Sequence, residues 1–287
     1  MMQLQYFAIS ETGLRPLPIP PGAHSFADLY AGLPLGVYSA LRTFGHNKFL
    51  DLEEHLARTR RSMNLLGWDY VWDENRLRHA IHTAATAFPA ENARVRFDIL
   101  SAEASEKLGC ESRELLALMP FKPIPANFYA QGVGVYATRA LSRKRPLAKT
   151  ADFAEQRKIF PVGVEQNAYE RLIVNSAGDI LEGTMTNFWA VRAGVVWTAG
   201  TDVLEGVTRK IILSLLVELG IPVRLDPYPL VELGTLDEAA ISGSSRALLP
   251  VVAIDGQVVG SGRPGPICRR ILVAYNDFVY HAVKTAV

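Results

Sequence analysis

The sequence predicts a mixed α/β architecture of the α+β kind, arranged as two domains. Strand-like and helix-like segments are both abundant but do not alternate strictly, which argues for α+β, or for α/β of mixed sheet direction. At 287 residues the chain is long enough for two domains. The stretch Pro120-Phe-Lys-Pro-Ile-Pro-Ala-Asn127 carries three prolines, and its stiffness and lack of donors suit a linker. These observations place a small N-terminal domain at 1–120, a linker at 121–128 and a larger C-terminal domain at 129–287.

In chain order, residues 3–9 read as a strand and the prolines from Pro16 to Pro21 as a loop. Leu35–Phe44 is an apolar, aromatic strand. A turn at 45–47 leads to Asp51, a helix N-cap, and to a helix over 51–66 with Leu52, Leu56, Met63 and Leu66 on one stripe. A second helix runs from Asp73 to Phe88. Arg94–Leu100 and Glu114–Met119 are strands that could form a long hairpin. Beyond the linker come a strand from Gly132, a basic loop Ser142-Arg-Lys-Arg-Pro146, and a short helix over 151–160 stopped by Pro161. Strands follow at 169–175, at 187–192 and from Val195. An amphipathic helix after Leu204-Glu-Gly-Val-Thr208 is closed by Gly220. Strands at 221–225 and 238–242, a hairpin with Asp255-Gly256 at its turn, and a helix from Pro266 to Ala282 complete the chain.

Hydrophobic residues make up 49% and charged residues 21%, an ordinary globular composition. A net charge of +1 without a basic run argues against nucleic-acid binding. No apolar stretch approaches the ~20 residues that a transmembrane helix needs, so no membrane role is expected. Nor does the N-terminus read as a secretory signal. Cys110 and Cys268 are too few and too isolated for a disulfide framework or a metal site. The expected compartment is the reducing cytoplasm.

Several positions could carry chemistry. Glu182 lies between apolar strand-forming runs: it is either a solvated strand end or a carboxylate held inside a site against a cation. Leu204-Glu-Gly-Val-Thr208 opens a helix whose first N–H groups could take an anion, although an ordinary capped helix would read the same way. Gly243-Ser244-Ser245 is a second donor-rich turn. Arg58 is either a surface ion-pair partner or a phosphate ligand. Lys149 lies in a mildly apolar run, where a partly desolvated lysine becomes a usable amine nucleophile. Arg42 and Arg96 are embedded in apolar strands, so each needs a buried ion pair or a substrate carboxylate. Together, an amine, a carboxylate, an arginine and two donor-rich turns are the parts of a pyridoxal phosphate site.

The order of these parts resembles the class IV pyridoxal-phosphate aminotransferases, a family of branched-chain, D-amino acid and (R)-amine transaminases and aminodeoxychorismate lyases. The resemblance runs from about Gly36 to Phe278. It rests on Gly36-Val-Tyr-Ser-Ala-Leu-Arg42, His55-Leu-Ala-Arg58, Lys149, Tyr169-Glu170, Gly178-Asp-Ile-Leu-Glu182-Gly, Leu204-Glu-Gly-Val-Thr208 and Ser242-Gly-Ser-Ser-Arg246. It implies the two-domain fold type IV, a homodimer, and pyridoxal 5'-phosphate as cofactor. Lys149 would be the Schiff-base lysine, carried by the larger domain, and Glu182 the partner of the pyridinium nitrogen. Arg58, Val207, Thr208 and Ser244 would bind the phosphate, and Leu204 would pack on the ring. Lys149 is preferred over Lys144 and Lys158 because it precedes Glu170 by 21 residues, near the family's usual distance.

Three departures from the branched-chain pattern bear on substrate. The tyrosine expected soon after the lysine is missing from Thr150-Ala-Asp-Phe-Ala. The Gly-Thr-Ala turn has become Gly243-Ser-Ser-Arg246, and Phe-Glu-Gly-Ile-Arg reads Tyr38-Ser-Ala-Leu-Arg42. Tyr38, Arg42, Arg96, Ser245 and Arg246 are therefore the positions expected to meet substrate. The expected activity is transfer of an amino group between an amino acid or primary amine and a 2-oxo acid, branched-chain aminotransferase-like. A D-amino acid or (R)-amine transaminase and aminodeoxychorismate lyase are the alternatives.

Overall fold

The computed structural model describes residues 4–30, 32–33, 36–159 and 169–285. The expected strand residue 3, Leu35, and the end of the expected helix at 160–161 lie outside them. The chain divides into two compact units. The first comprises Met1–Lys122, Ala148–Gln156 and Ala282–Val287, and the second Pro123–Leu147 and Arg157–His281. The mixed α+β class is observed, with helices packed on a sheet in each unit.

The first unit opens with β1 (Gln5–Ser10) and β2 (Gly13–Pro16), a hairpin not expected from sequence, then α1 (Phe26–Leu29) and β3 (Gly36–Arg42). α2 (Leu52–Leu65) begins at Asp51, whose side chain accepts from the Glu54 N–H. This is the expected cap. α3 (Glu74–Ala87), β4 (Ala93–Leu100), α4 (Ala102–Leu108) and β5 (Glu114–Pro120) follow. The strands form one antiparallel sheet ordered β2-β1-β5-β4-β3. β4 and β5 pair as expected, with α4 inserted in their connection. Residues 95, 97 and 99 of β4 alternate onto the face covered by α2 and α3, where Leu56, Leu77, Ile81, Phe97 and Ile99 are fully buried. The opposite face packs on α1 and α4.

α5 (Ala126–Gln131) begins within the expected linker, whose last residues are helical, and β6 (Val133–Thr138) follows it in the second unit, with α6 (Ala151–Gln156) back in the first. The stretch bearing Lys149 thus packs with the first unit, whereas the sequence division assigns it to the later domain. The reason is local pairing. The Tyr38 N–H donates to the Lys149 carbonyl at 3.0 Å, and Val37 and Thr150 form an antiparallel bridge.

The second unit continues with β7 (Glu170–Val174), β8 (Asp179–Gly183), β9 (Asn187–Arg192), β10 (Val195–Trp197) and α7 (Val207–Glu218). β11 (Val223–Arg224), β12 (Tyr228–Pro229), β13 (Glu238–Gly243), β14 (Ala247–Ile254), β15 (Gln257–Val258) and α8 (Pro266–Thr285) follow, the second unit ending at His281 within α8. The sheet runs β11-β10-β9-β13-β14-β6-β7-β8-β12 and closes on itself where Glu182 of β8 bridges Asn187 of β9. Positive φ values at Asp255 (50°) and Gly256 (77°) confirm the expected Asp-Gly turn between β14 and β15.

α8 is anchored by a buried acid. Glu238 Oε1 accepts the Ile267 N–H at 2.9 Å and Oε2 the Cys268 N–H at 2.7 Å. A Cβ on Gly265 would meet the Glu238 carboxyl carbon at 2.1 Å, so glycine is required for this approach. Glu238→Ala removes both acceptors from the first turn and should lower unfolding free energy by about 1–3 kcal/mol. Urea denaturation checks this, and a change within about 0.5 kcal/mol would show that the cap contributes little.

Candidate active site

In the first unit the site residues meet between α2 and β3. His55, Arg58, Thr59 and Ser62 occupy one stripe of α2 at helical spacing, and all four are buried although polar. Arg58 Nη2 donates to Ser39 Oγ on β3 at 2.7 Å, and Ser39 Oγ lies 3.0 Å from His55 Nδ1. Burial holds His55 well below the usual imidazole range, and the nearby cations Arg58 and Lys149 add to the effect. Ser62 Oγ donates to the Arg58 carbonyl and accepts the Lys149 N–H at 3.2 Å. Lys149 is therefore fixed at its N–H by α2 and at its carbonyl by β3. Its Nζ lies 4.9 Å from the centroid of the Tyr38 ring. Lys149 is half-buried, whereas Lys144 and Lys158 are exposed.

Arg96 makes the buried ion pair that sequence reasoning left as one of two options. Nε and Nη2 donate to both oxygens of Asp98 at 2.6–3.1 Å. Its guanidinium lies 3.9 Å from the ring centroid of Tyr30 and 4.0 Å from that of Tyr38. Burial pushes the Asp98 carboxyl up, against the opposing pull of Arg96. Arg42 lies four residues beyond Tyr38 on the same strand face, its guanidinium over Phe44 and Phe121 at 4.1 and 3.9 Å. The first unit thus brings together Lys149, Arg58, Tyr38 and Arg96, and leaves Arg42 at the far end of β3.

In the second unit, Glu182, Asn187 and Ser242 stand in register across β8, β9 and β13. Glu182 is only 2% exposed. Its Oε1 accepts from Arg143 Nε at 2.5 Å, and its Oε2 from the Leu204 N–H at 3.1 Å and Asn187 Nδ2 at 3.5 Å. Asn187 Nδ2 also donates to the Leu204 carbonyl at 2.8 Å. The Leu204 backbone is thereby held at both its N–H and its carbonyl. Two residues on, Gly206 caps α7. A Cβ there would meet Asn187 Oδ1 at 2.3 Å, so only glycine permits this packing.

The cap makes no side-chain hydrogen bond, and Val207 and Thr208 in the first turn are each 3% exposed. Buried N–H groups at a helix start are a ready anion site. Ser244 and Ser245 lie half-buried in the turn between β13 and β14. In the same turn Arg246 Nε donates to the Tyr169 hydroxyl at 2.9 Å and Nη2 reaches Met185 Sδ at 3.8 Å. Thr186 Oγ1 is buried without a hydrogen-bond partner among the described residues. The turns at 184–186, 204–208 and 243–246 therefore gather at one end of this sheet, bringing Glu182, Leu204, Val207, Thr208, Ser244, Ser245 and Arg246 into one neighbourhood.

Arg143, Asn187, Ser39 and His55 join the expected residues in these hydrogen-bond networks without having been singled out as candidates. Arg143 was visible only as part of a basic loop, and His55 only as part of the motif around Arg58.

Comparison with known proteins bears on this arrangement. The model of the family described as amino-transferase class IV matches residues 36–254. The chain is 25% identical over 257 residues to a D-alanine aminotransferase of Bacillus licheniformis, covering 87% of this chain and 90% of that one. It is 28% identical over 254 residues to branched-chain-amino-acid aminotransferase-like protein 1 of Arabidopsis thaliana, covering 83% of this chain and 45% of that one. In fold it is similar to the T.th. branched-chain amino acid aminotransferase solved with pyridoxamine 5'-phosphate. The TM-score is 0.78 at 20% identity, over 97% of this chain and 94% of that one. No helix among the described residues is long and apolar enough to cross a membrane.

Proposed function

We propose, from the premise that the chain belongs to the class IV aminotransferase family, that it moves an amino group between a branched-chain amino acid and a 2-oxo acid. The enzyme is a pyridoxal-phosphate-dependent transaminase. Bound pyridoxal 5'-phosphate supplies an electron sink that lets a proton leave the carbon bearing the amino group. The residues fit that group. The buried first turn of α7, whose Gly206 cap brings no side chain to its N–H groups, offers donors for a phosphate, and the buried Thr186 hydroxyl, without a partner among the described residues, is a further polar group at this end of the sheet.

Lys149 Nζ is the amine assigned to hold the cofactor and, once freed by an amino donor, to carry the proton from the donor's α-carbon. Glu182 is assigned to the ring nitrogen. Arg58, Val207, Thr208 and Ser244 are assigned to the phosphate, and Leu204 to the ring face. Tyr38, Ser245 and Arg246 are assigned to substrate, with Arg246 as the source of charge for its carboxylate, while Arg42, stacked on Phe44 and Phe121 at the far end of β3, is not. Arg96, bonded to Asp98, would act by holding Tyr38. The observation that carries the reading is Glu182. Its buried carboxylate is kept charged by Arg143, the Leu204 N–H and Asn187, which hold it beside the turn that opens α7, where a cationic ring nitrogen would meet it. We further propose a cytoplasmic homodimer, a compartment with which the two free, buried cysteines agree.

The second reading, a D-amino acid transaminase, is favoured by the near full-length similarity to the D-alanine enzyme. A half-reaction screen separates the two. L-leucine and L-valine should abolish the visible absorbance of the bound cofactor, while D-alanine and (R)-1-phenylethylamine leave it. Response to D-alanine alone would overturn the branched-chain assignment. Pyruvate released from aminodeoxychorismate without any keto-acid acceptor would make the protein a lyase.

A further inference from the structure

We propose that Ser39 and His55 are positioning residues that aim the Arg58 guanidinium and thereby set how tightly the enzyme holds the phosphate of its cofactor. The inference rests on the assignment of Arg58 to that phosphate.

The direction of each hydrogen bond follows from chemistry. A guanidinium can only donate, so in the 2.7 Å contact from Arg58 Nη2 the Ser39 oxygen is the acceptor. The Ser39 hydroxyl hydrogen is then available to His55 Nδ1, 3.0 Å away. That bond requires Nδ1 to be without a proton, which fixes the neutral imidazole with its hydrogen on Nε2. Burial and the two neighbouring cations already favour the neutral ring. Arg58 Nη2 also lies 3.4 Å from His55 Nδ1, and because a guanidinium can only donate, this contact too makes Nδ1 an acceptor. The polarity therefore runs one way, from Arg58 to His55, both directly and through Ser39.

Each member comes from a rigid element. Ser39 lies in β3 and is fully buried, and His55 and Arg58 are three residues apart on α2. An arginine side chain has several rotatable bonds, and Arg58 is 4% exposed, so a fixed acceptor defines where its remaining donors point. Removing the Ser39 oxygen leaves Nη2 without that acceptor in the interior. Removing the His55 acceptor frees the Ser39 hydroxyl to turn its hydrogen elsewhere, and the alignment of Arg58 loosens.

The test compares dissociation constants for pyridoxal 5'-phosphate and for pyridoxal, which lacks the phosphate. Equilibrium titration would cover the parent and the variants Ser39→Ala, His55→Phe, His55→Asn, Arg58→Ala and the Ser39→Ala/Arg58→Ala double variant. Ser39→Ala and His55→Phe should weaken the phosphorylated ligand on the order of tenfold and leave pyridoxal unchanged. His55→Asn, which keeps an acceptor close to the position of Nδ1, should restore most of the loss. The double variant should bind no more weakly than Arg58→Ala, since the relay acts only through that arginine. If Arg58→Ala weakens both ligands equally, the phosphate assignment itself is wrong and the proposal falls with it. If Arg58→Ala selectively weakens the phosphorylated ligand but Ser39→Ala and His55→Phe do not, Arg58 keeps its role and the positioning relay is overturned. Equal loss of both ligands in Ser39→Ala and His55→Phe would also overturn it, by showing a general packing defect.

Discussion

Lys149→Ala is expected to reduce transamination by at least about 10³-fold, because the same amine is assigned both to hold the cofactor and to move the proton. Neighbouring lysines offer no replacement: Lys144 and Lys158 are exposed, whereas Lys149 is half-buried and pinned through its own backbone to Ser62 and Tyr38. Those backbone bonds do not depend on the side chain, so the alanine variant should keep the local fold and its melting behaviour. The initial rate of 2-oxo acid formation measures the loss. A small primary amine such as methylamine, added to the variant, should restore part of the rate by supplying the missing base in solution. A merely structural lysine would show no such rescue. Retention of a substantial fraction of parent activity without added amine would remove Lys149 from the mechanism.

What could be read in the sequence was what depends on local pattern. The N-cap at Asp51, the Asp255-Gly256 turn and the helix closed by Gly220 each follow from one or two residues whose backbone preferences are strong. The ordered motifs around Arg58, Lys149, Glu182 and Thr208 pointed to the family for a similar reason, since each is a short run. Side-chain partnerships across long separations were not legible. Arg143 and Glu182 are 39 residues apart, and Ser39 and His55 are 16 apart on different elements. Periodicity also misled at α2. It identified the apolar stripe, but reading polar residues as solvent-facing conceals the buried row of His55, Arg58 and Ser62. β8 was overlooked as a strand because Asp179 and Glu182 interrupt its apolar alternation, although closure of the sheet depends on it. Arg96 is the opposite case. Asp98 lies two residues on and shares its strand face, so its ion-pair partner was in view.

Glu182→Gln should lower turnover by about 10²–10³-fold even with the cofactor saturating, because a neutral amide cannot hold the ring nitrogen protonated. The substitution is nearly isosteric, yet the surroundings make it far from neutral. In the parent, both carboxylate oxygens accept: Oε1 from Arg143, and Oε2 from the Leu204 N–H and Asn187 Nδ2. A glutamine presents one oxygen and one NH₂. If its oxygen faces Arg143, its NH₂ meets the donors of Leu204 and Asn187. If it is flipped, its NH₂ meets the guanidinium. Either orientation sets donor against donor in a buried place and should cost about 1–3 kcal/mol of stability. A melting-temperature decrease is therefore expected alongside the kinetic loss, and the two must be separated. Measuring kcat well below the variant's melting temperature, with cofactor occupancy confirmed by its absorbance, isolates the chemical effect. A folded, loaded Glu182→Gln enzyme with parent turnover would refute the ring-nitrogen assignment and leave Glu182 as the structural partner of Arg143 and the Leu204 peptide. A folded, loaded enzyme with turnover lost supports the assignment, because the cofactor is then present without the charge that activates it.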